Sequence, residues 1–210
     1  MEGRRAIKTG AEASLFEVLG PTYLGRERAV EKRRLPKRYR AKELDERIRD
    51  GRLRNEVRLM VEARSAGIPV PIVYDIDLGN KAILMERIEG STVKAVLESG
   101  YGRKKALCRR IGRYVGILHA NDLTHGDLTT SNMLLADERL YFIDFNMGAR
   151  TGELEDKGVD LHLLCEAFKS SHPGHPEFLG FALEGYRESY SGAGSVIDKV
   201  GEIEKRGRYA

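Results

Sequence analysis

Between Asn132 and Phe145 the chain reads NMLLADERLYFIDF, two short apolar runs separated by a polar link. Runs of this length are too short for helices, and their composition suits buried strands, so the stretch reads as a β-hairpin. Its flanks narrow the fold further. HGDLTTSN (125–132) leads into the first run, and FIDFN (142–146) ends the second. A hairpin therefore carries Asp127, Asn132 and Asp144 to one end of its two strands.

The hairpin sits in a chain whose periodicity changes along its length. In residues 12–35, ASLFEVL and RAVEKRRL read as strands around the turn-forming GPTYLG. From 42 to 66 the pattern is helical, with Gly51 expected to interrupt or bend it and Gly67 to end it before Pro69. IVYDIDL and KAILMERI follow as strands joined by a Gly-Asn turn. Beyond Gly90-Ser91, Leu107, Ile111, Val115 and Leu118 form a helical stripe, and three more helical stretches follow residue 159. The reading is α+β, with a β-rich N-terminal lobe (1–88) and a helical C-terminal lobe (89–210). They join near Glu86–Gly90, with a ligand cleft expected between them.

Composition excludes several classes. Hydrophobic residues make up 41% and charged residues 32% of 210, which fits a globular, cytoplasmic protein. No apolar run approaches the ~18 residues that span a bilayer, and MEGRRAIKTGAEA has no signal-peptide character. Cys108 and Cys165 lack metal-ligand spacing and read as reduced core residues. Net charge is only +4, yet Arg26–Arg64 holds fifteen Lys or Arg against eight Asp or Glu. That basic patch is either a solvated face or a contact for nucleic acid or an acidic partner. HPGH (172–175) reads as a surface loop.

The spacing HxDxxxxN followed by DFN suits phosphoryl transfer, which asks a protein mainly for positioning and charge. Asp127 can accept or orient the proton of an attacking hydroxyl. Asn132 and Asp144 can hold Mg²⁺, with Phe145 packed beneath. Upstream, Lys32 lies in a strand-like run where it can reach phosphates, and Glu56 is spaced to pair with it from the next helix. KTGAEAS (8–14), with Lys8, Gly10, Ala11 and Glu12, reads as a turn beneath the phosphates. The backbone of Glu86 and Ile88 would meet an adenine edge, Met85 would back the pocket, and Val30, Leu134 and Ile143 would sandwich the ring. Each is also ordinary core by itself.

With these residues in view, the chain resembles the protein-kinase superfamily in the shortened form of RIO-type atypical kinases. Within it, the chain is similar to the archaeal form of the PRPK-like Ser/Thr kinase/ATPase subunits of the KEOPS complex. The resemblance is carried by KTGAEA (8–13), EKRRLPKRYR (31–40), the helix with Glu56, MERIEG (85–90), HGDLTTSN, IDFNMG (143–148), EDKGVDLHLL (155–164) and KRGRYA (205–210). It implies a minimal two-lobed kinase-like fold, ATP and Mg²⁺ as cofactors, and autophosphorylation. It also implies a threonylcarbamoyl-transferase subunit and other KEOPS subunits as partners, with ATP turnover supporting modification of tRNA position 37. Lys205, Arg206 and Arg208 in the basic tail would meet tRNA. Asp160 would be structural and not catalytic.

Departures from the wider kinase pattern are also expectations. Gly126 stands where many protein kinases have Arg, and the stretch from Asn146 to Asp156 is short and lacks Ala-Pro-Glu. Phosphorylation-gated activation is therefore not expected. Asn146 in place of Gly should be tolerated because Asn visits positive φ. Two alternatives stay open: a small-molecule phosphotransferase, since HGDLxxxN also resembles aminoglycoside and choline kinases, and a non-catalytic kinase-shaped scaffold.

Overall fold

The computed structural model describes residues 4–10, 13–18 and 28–207, with the backbone alone at Arg4 and Lys8. Contacts divide the chain into two compact units, Met1–Arg58 with Pro71–Glu89, and Leu59–Val70 with Gly90–Ala210.

The first unit is built on an antiparallel sheet. Its strands are β1 (Arg4–Thr9), β2 (Ala13–Val18), β3 (Ala29–Arg34), β4 (Val73–Asp77) and β5 (Ala82–Glu86), in the order β1-β2-β3-β5-β4. β3 is central, and Lys32 lies opposite Leu15 on one side and Ile83 on the other. Five of the six β3 residues are buried, among them Glu31, Lys32 and Arg34. A strand this rich in charge can be buried only because each charge meets a counter-charge.

Between β3 and β4 runs α1 (Lys42–Ser65), which contributes residues to both units. Leu53, Glu56, Met60 and Ala63 are buried at helical spacing. The expected break at Gly51 is absent, and the helix passes through it without interruption. A mid-helix glycine costs only about 1 kcal/mol against alanine, and burial of Leu53, Leu59 and Met60 further along the helix offsets it. The helix ends in a Schellman motif: Gly67 (φ 88°) donates to the Arg64 carbonyl and Ile68 to that of Ala63 (both 3.0 Å).

The second unit contains β6 (Ser91–Thr92), α2 (Val93–Glu98), α3 (Lys104–Ala120), β7 (Leu123–Thr124), β8 (Met133–Ala136), β9 (Arg139–Phe142), β10 (Ala149–Arg150), α4 (Leu154–Ser171), α5 (Glu177–Ser189) and α6 (Ala193–Gly207). The α3 stripe of Leu107, Ile111, Val115 and Leu118 is no more than 1% exposed. α4 starts at Leu154, ahead of the expected residue 159.

β8 and β9 form the hairpin, with Met133 opposite Phe142 and Ala136 opposite Arg139. Its two-residue turn places both Asp137 (φ 46°) and Glu138 (φ 62°) in the left-handed region, the geometry of a type I′ turn. Neither is glycine, so the turn is held from outside. Tyr101 donates its hydroxyl hydrogen bond to Glu138 (2.8 Å), Arg103 pairs with the same carboxylate (3.1 Å), and Arg110 donates to the Glu138 carbonyl.

Cys108 and Cys165 are both free and buried. Burial pushes their thiols up to about 12 and about 11. HPGH departs from a plain surface loop, because His172 is buried against Phe168 and Phe178 while His175 is exposed and stacked on Phe178. Among the described residues no helix is long and apolar enough to cross a membrane.

Candidate active site

In the second unit, a buried carboxylate fixes the backbone of the HGD turn. Asp160 on α4, 1% exposed, accepts the His125 N–H at 2.8 Å and the Gly126 N–H at 2.7 Å. The same carboxylate is 3.2 Å from His119 Nε2, and His119 Nδ1 lies 2.7 Å from the Tyr186 hydroxyl. A carboxylate only accepts, so His119 donates from Nε2 to Asp160, and its ring bridges that carboxylate and the Tyr186 hydroxyl. Asp160 thus satisfies backbone donors and is not directed at a substrate.

His125 ties the turn to the segment before Asp144. Its Nε2 lies 3.0 Å from the Ile143 carbonyl, and its Nδ1 accepts the Asp127 N–H at 3.3 Å. Its ring packs on the buried Phe145 with centroids 4.4 Å apart. These bonds require the neutral tautomer protonated on Nε2. Burial holds the His125 pKa below the usual histidine value, against the opposing charge of Asp160, and burial likewise lowers His172.

That lowering has a sign. Below about pH 6.5 the unfolded chain takes up protons that the folded chain resists, so stability rises with pH through this window. The contribution is complete above about pH 6.5 and is lost on acidification, by up to about 1.4 kcal/mol per pH unit for each histidine. Urea unfolding from pH 7 to 5 should show a falling midpoint. A flat profile would contradict the buried neutral histidines.

The sequence-predicted polar residues of this unit are brought together. Asn132 Nδ2 donates to the Asp127 carboxylate at 2.8 Å and to the Asp127 carbonyl at 3.0 Å. The Ile143 N–H donates to the Asn132 carbonyl at 3.0 Å, so the hairpin ladder sets Asp144 at the same end as Asn132. Asp144 itself has φ 67°, whereas Asn146 does not have positive φ. The expectation for Asn146 is corrected: the left-handed residue of DFN is its aspartate. Gly126 has φ 79°, and an added Cβ would collide with the Met147 carbonyl. The glycine in the arginine position is therefore a geometric requirement.

In the first unit, Lys32 Nζ lies 2.5 Å from Glu56 Oε1, with their side chains 8% and 2% exposed. Arg34, two residues along β3 on the same face, pairs with the other oxygen of Glu56. Sequence reasoning missed Arg34, because nothing in a basic run marks which member turns inward. Glu31 is buried and paired with Arg33 at 2.8 Å.

Val30 is buried and lies opposite Met85 in the ladder. Glu86 donates its N–H to the Ile72 carbonyl at 2.8 Å, and its side chain accepts from Ile72 N–H at 3.1 Å. Only the carbonyl of Glu86 therefore suits the adenine-edge role, beside the backbone of Ile88. Leu134 and Ile143 are half-buried in the second unit. Gly10 donates its N–H to the Ala13 carbonyl at 2.9 Å, closing β1 onto β2. Ala11, Glu12 and Arg208 lie outside the described residues, as does the Lys8 side chain. Lys205 and Arg206 end α6, and Arg206 pairs with Glu155.

Comparison with known proteins bears on the whole chain. Residues 25–151 match the RIO domain. A probable bifunctional tRNA threonylcarbamoyladenosine biosynthesis protein of Methanosarcina acetivorans is 43% identical over 204 residues. That alignment takes 97% of this chain and 35% of the relative, so the chain spans about a third of that protein's length. The KEOPS complex subunit Bud32 of Pyrococcus abyssi is 39% identical over 212 residues, covering 98% of this chain and 96% of the relative. Among solved structures, the Rio2 kinase–ADP/Mg²⁺–phosphoaspartate complex from Chaetomium thermophilum aligns with TM-score 0.66 at 16% identity, over 97% of this chain and 72% of that one. The α+β fold is thus kinase-like.

Proposed function

The chain belongs to the RIO-domain family, and on that premise we propose that it is an Mg²⁺- and ATP-dependent atypical Ser/Thr kinase/ATPase that supports threonylcarbamoyladenosine modification of tRNA position 37 as a KEOPS subunit. In this reading residues 1–88 are the N-terminal lobe and 89–210 the C-terminal lobe; the compact units follow the same division except that Leu59–Val70 belongs to the second and Glu89 to the first. The observation that carries it is the Asp127–Asn132 hydrogen bond at the Asp144 end of the β8–β9 hairpin. In this reading the Asn132 amide nitrogen positions the carboxylate that handles the hydroxyl proton, and the amide oxygen takes the metal.

The donor set fits the cofactor. Asp127, Asn132 and Asp144 offer only hard oxygen atoms, the ligands that Mg²⁺ takes. Bound Mg²⁺ would neutralise charge on the phosphates. Asn132 and Asp144 are the residues that would hold it. Asp127 orients the attacking hydroxyl, or water, and receives its proton on the carboxylate. Lys32 offers a fixed ammonium to phosphate oxygens, and Glu56 keeps that ammonium charged and positioned. The carbonyl of Glu86 and the N–H of Ile88 hold the adenine edge, with Met85, Val30, Leu134 and Ile143 around the ring.

Phosphate release from Mg-ATP tests the reading. The chain is compared alone, with a threonylcarbamoyl-transferase subunit, and with that subunit plus tRNA. Turnover should rise with partner and tRNA. It should drop by about 10²–10⁴-fold in Asp127→Ala, the usual share of a positioned acid–base group. Turnover indifferent to both additions but raised by a small hydroxylated acceptor would replace the reading with a small-molecule kinase.

A further inference from the structure

We propose that the exposed side of α3 is a docking surface for the phosphate backbone of RNA, built from residues that the nucleotide site does not use. The inference rests on the tRNA-linked function above and adds a surface to it. A groove of about 610 Å³ lies against α3, lined by Gly102, Ala106 and the cations Arg103, Lys105, Arg109, Arg110 and Arg113. Its lining contains no acid among the described residues. From Ser99 to Asn121 the sequence has six Lys or Arg and no Asp or Glu.

The order of these charges opposes what α3 needs for its own stability. Arg103, Lys104 and Lys105 crowd the N-terminus, where the helix dipole is positive and acids are favoured. The first turn has no acidic residue, and the Arg103 N-cap makes no side-chain capping bond. A helix end without a side-chain cap, surrounded by cations, suits a bound anion. Anionic ligand resolves both the dipole conflict and the like-charge crowding.

The cations divide by task. Arg103 and Arg110 hold the strained Asp137–Glu138 turn. Lys105, Arg109 and Arg113 recur every fourth residue along one side of α3, spanning about 12 Å. Lys105 lies over the Phe181 ring at 4.8 Å. Arg109 and Arg113 share Glu188 on α5, and Arg109 also approaches Glu184 at 3.8 Å. Those two side chains remain 43% and 58% exposed. Exposed pairs of this kind exchange readily for phosphate. Against Glu138, Glu184 and Glu188 the six cations leave an excess of three charges.

A repeating polyanion suits this surface better than a protein does. Protein partners anchor on buried aromatic and aliphatic side chains, and between its cations the groove offers only Gly102 and Ala106. Evenly spaced cations without base-reading amides or stacking rings suit sequence-independent backbone contact.

The test is tRNA binding against salt concentration, using an unmodified tRNA transcript and the 210-residue chain. The variant is Lys105→Gln/Arg109→Gln/Arg113→Gln, with Lys169→Gln/Lys199→Gln as control. Loss of three phosphate contacts should weaken binding at least about tenfold and flatten the log–log salt slope by about two to three. The control should bind as the wild type does. Thermal melting reports whether the triple variant folds; if it does not, Lys105→Gln alone should flatten the slope by about one. Unchanged affinity and slope in the variants would overturn the proposal. So would intact RNA binding accompanied by lost binding to an acidic polypeptide such as polyglutamate. Wild-type chain that hydrolyses ATP but does not bind tRNA would also overturn it, while leaving the assignment of the nucleotide site standing.

Discussion

Asp144→Asn is expected to reduce ATP turnover by about 10²–10³-fold or more, the scale of losing one electrostatic group aimed at developing charge. The substitution keeps the shape of the side chain and removes the negative charge that a hard cation requires. It also keeps the backbone. Asp144 has φ 67°, where Asn is tolerated and most residues are strained. Asp144→Ala should abolish turnover as well, with an added stability cost of about 1–2 kcal/mol from the left-handed backbone. Phosphate release measured beside urea unfolding separates the two effects. Near-normal ATP consumption in Asp144→Asn would remove the residue from the site.

Gly126→Ala should have the largest effect on stability, about 2–4 kcal/mol. Two costs combine. A Cβ at φ 79° carries the left-handed penalty, and that atom meets the Met147 carbonyl and the Gly148 nitrogen, which are backbone and cannot rotate away. The loop is also held by the 2.7 Å bond from Gly126 N–H to Asp160, so relief by movement would break that bond. For a chain of this size the melting temperature should drop by roughly 5–15 °C. Gly51→Ala provides the contrast. Its added Cβ meets nothing within 4 Å inside α1, so it should stabilise by up to about 1 kcal/mol. Equal melting temperatures for the two variants would refute the close approach at Gly126.

The kinase-like pattern matters for Gly126 in another way. An arginine there would receive an activation-loop phosphate in many protein kinases. Here the backbone conformation excludes any side chain, and Asp160 takes the N–H groups of His125 and Gly126 directly. Two hydrogen bonds to one buried carboxylate tie the turn to α4. Its order depends on a buried chain of bonds from Tyr186 through His119 to Asp160.

Much of this was legible in the amino-acid order. The hairpin at 133–142 announced itself by two short apolar runs, and α3 by a stripe at helical spacing, because local periodicity records which face is buried. Polar residues at the hairpin end were legible for the same reason: a ladder register converts sequence spacing into distance. What tertiary structure alone decided was the partnership of residues far apart in the chain. Arg34 turns inward to share Glu56 with Lys32, while its neighbour Arg33 takes Glu31. Asp160 reaches back 35 residues to hold His125. Gly51 leaves α1 unbroken because Leu53, Leu59 and Met60 beyond it are buried. The left-handed position of DFN is Asp144 and not Asn146. Each depends on which charges lose their water and which backbone groups need a partner once the chain has closed, and local propensities of a kcal/mol or less do not outweigh those terms.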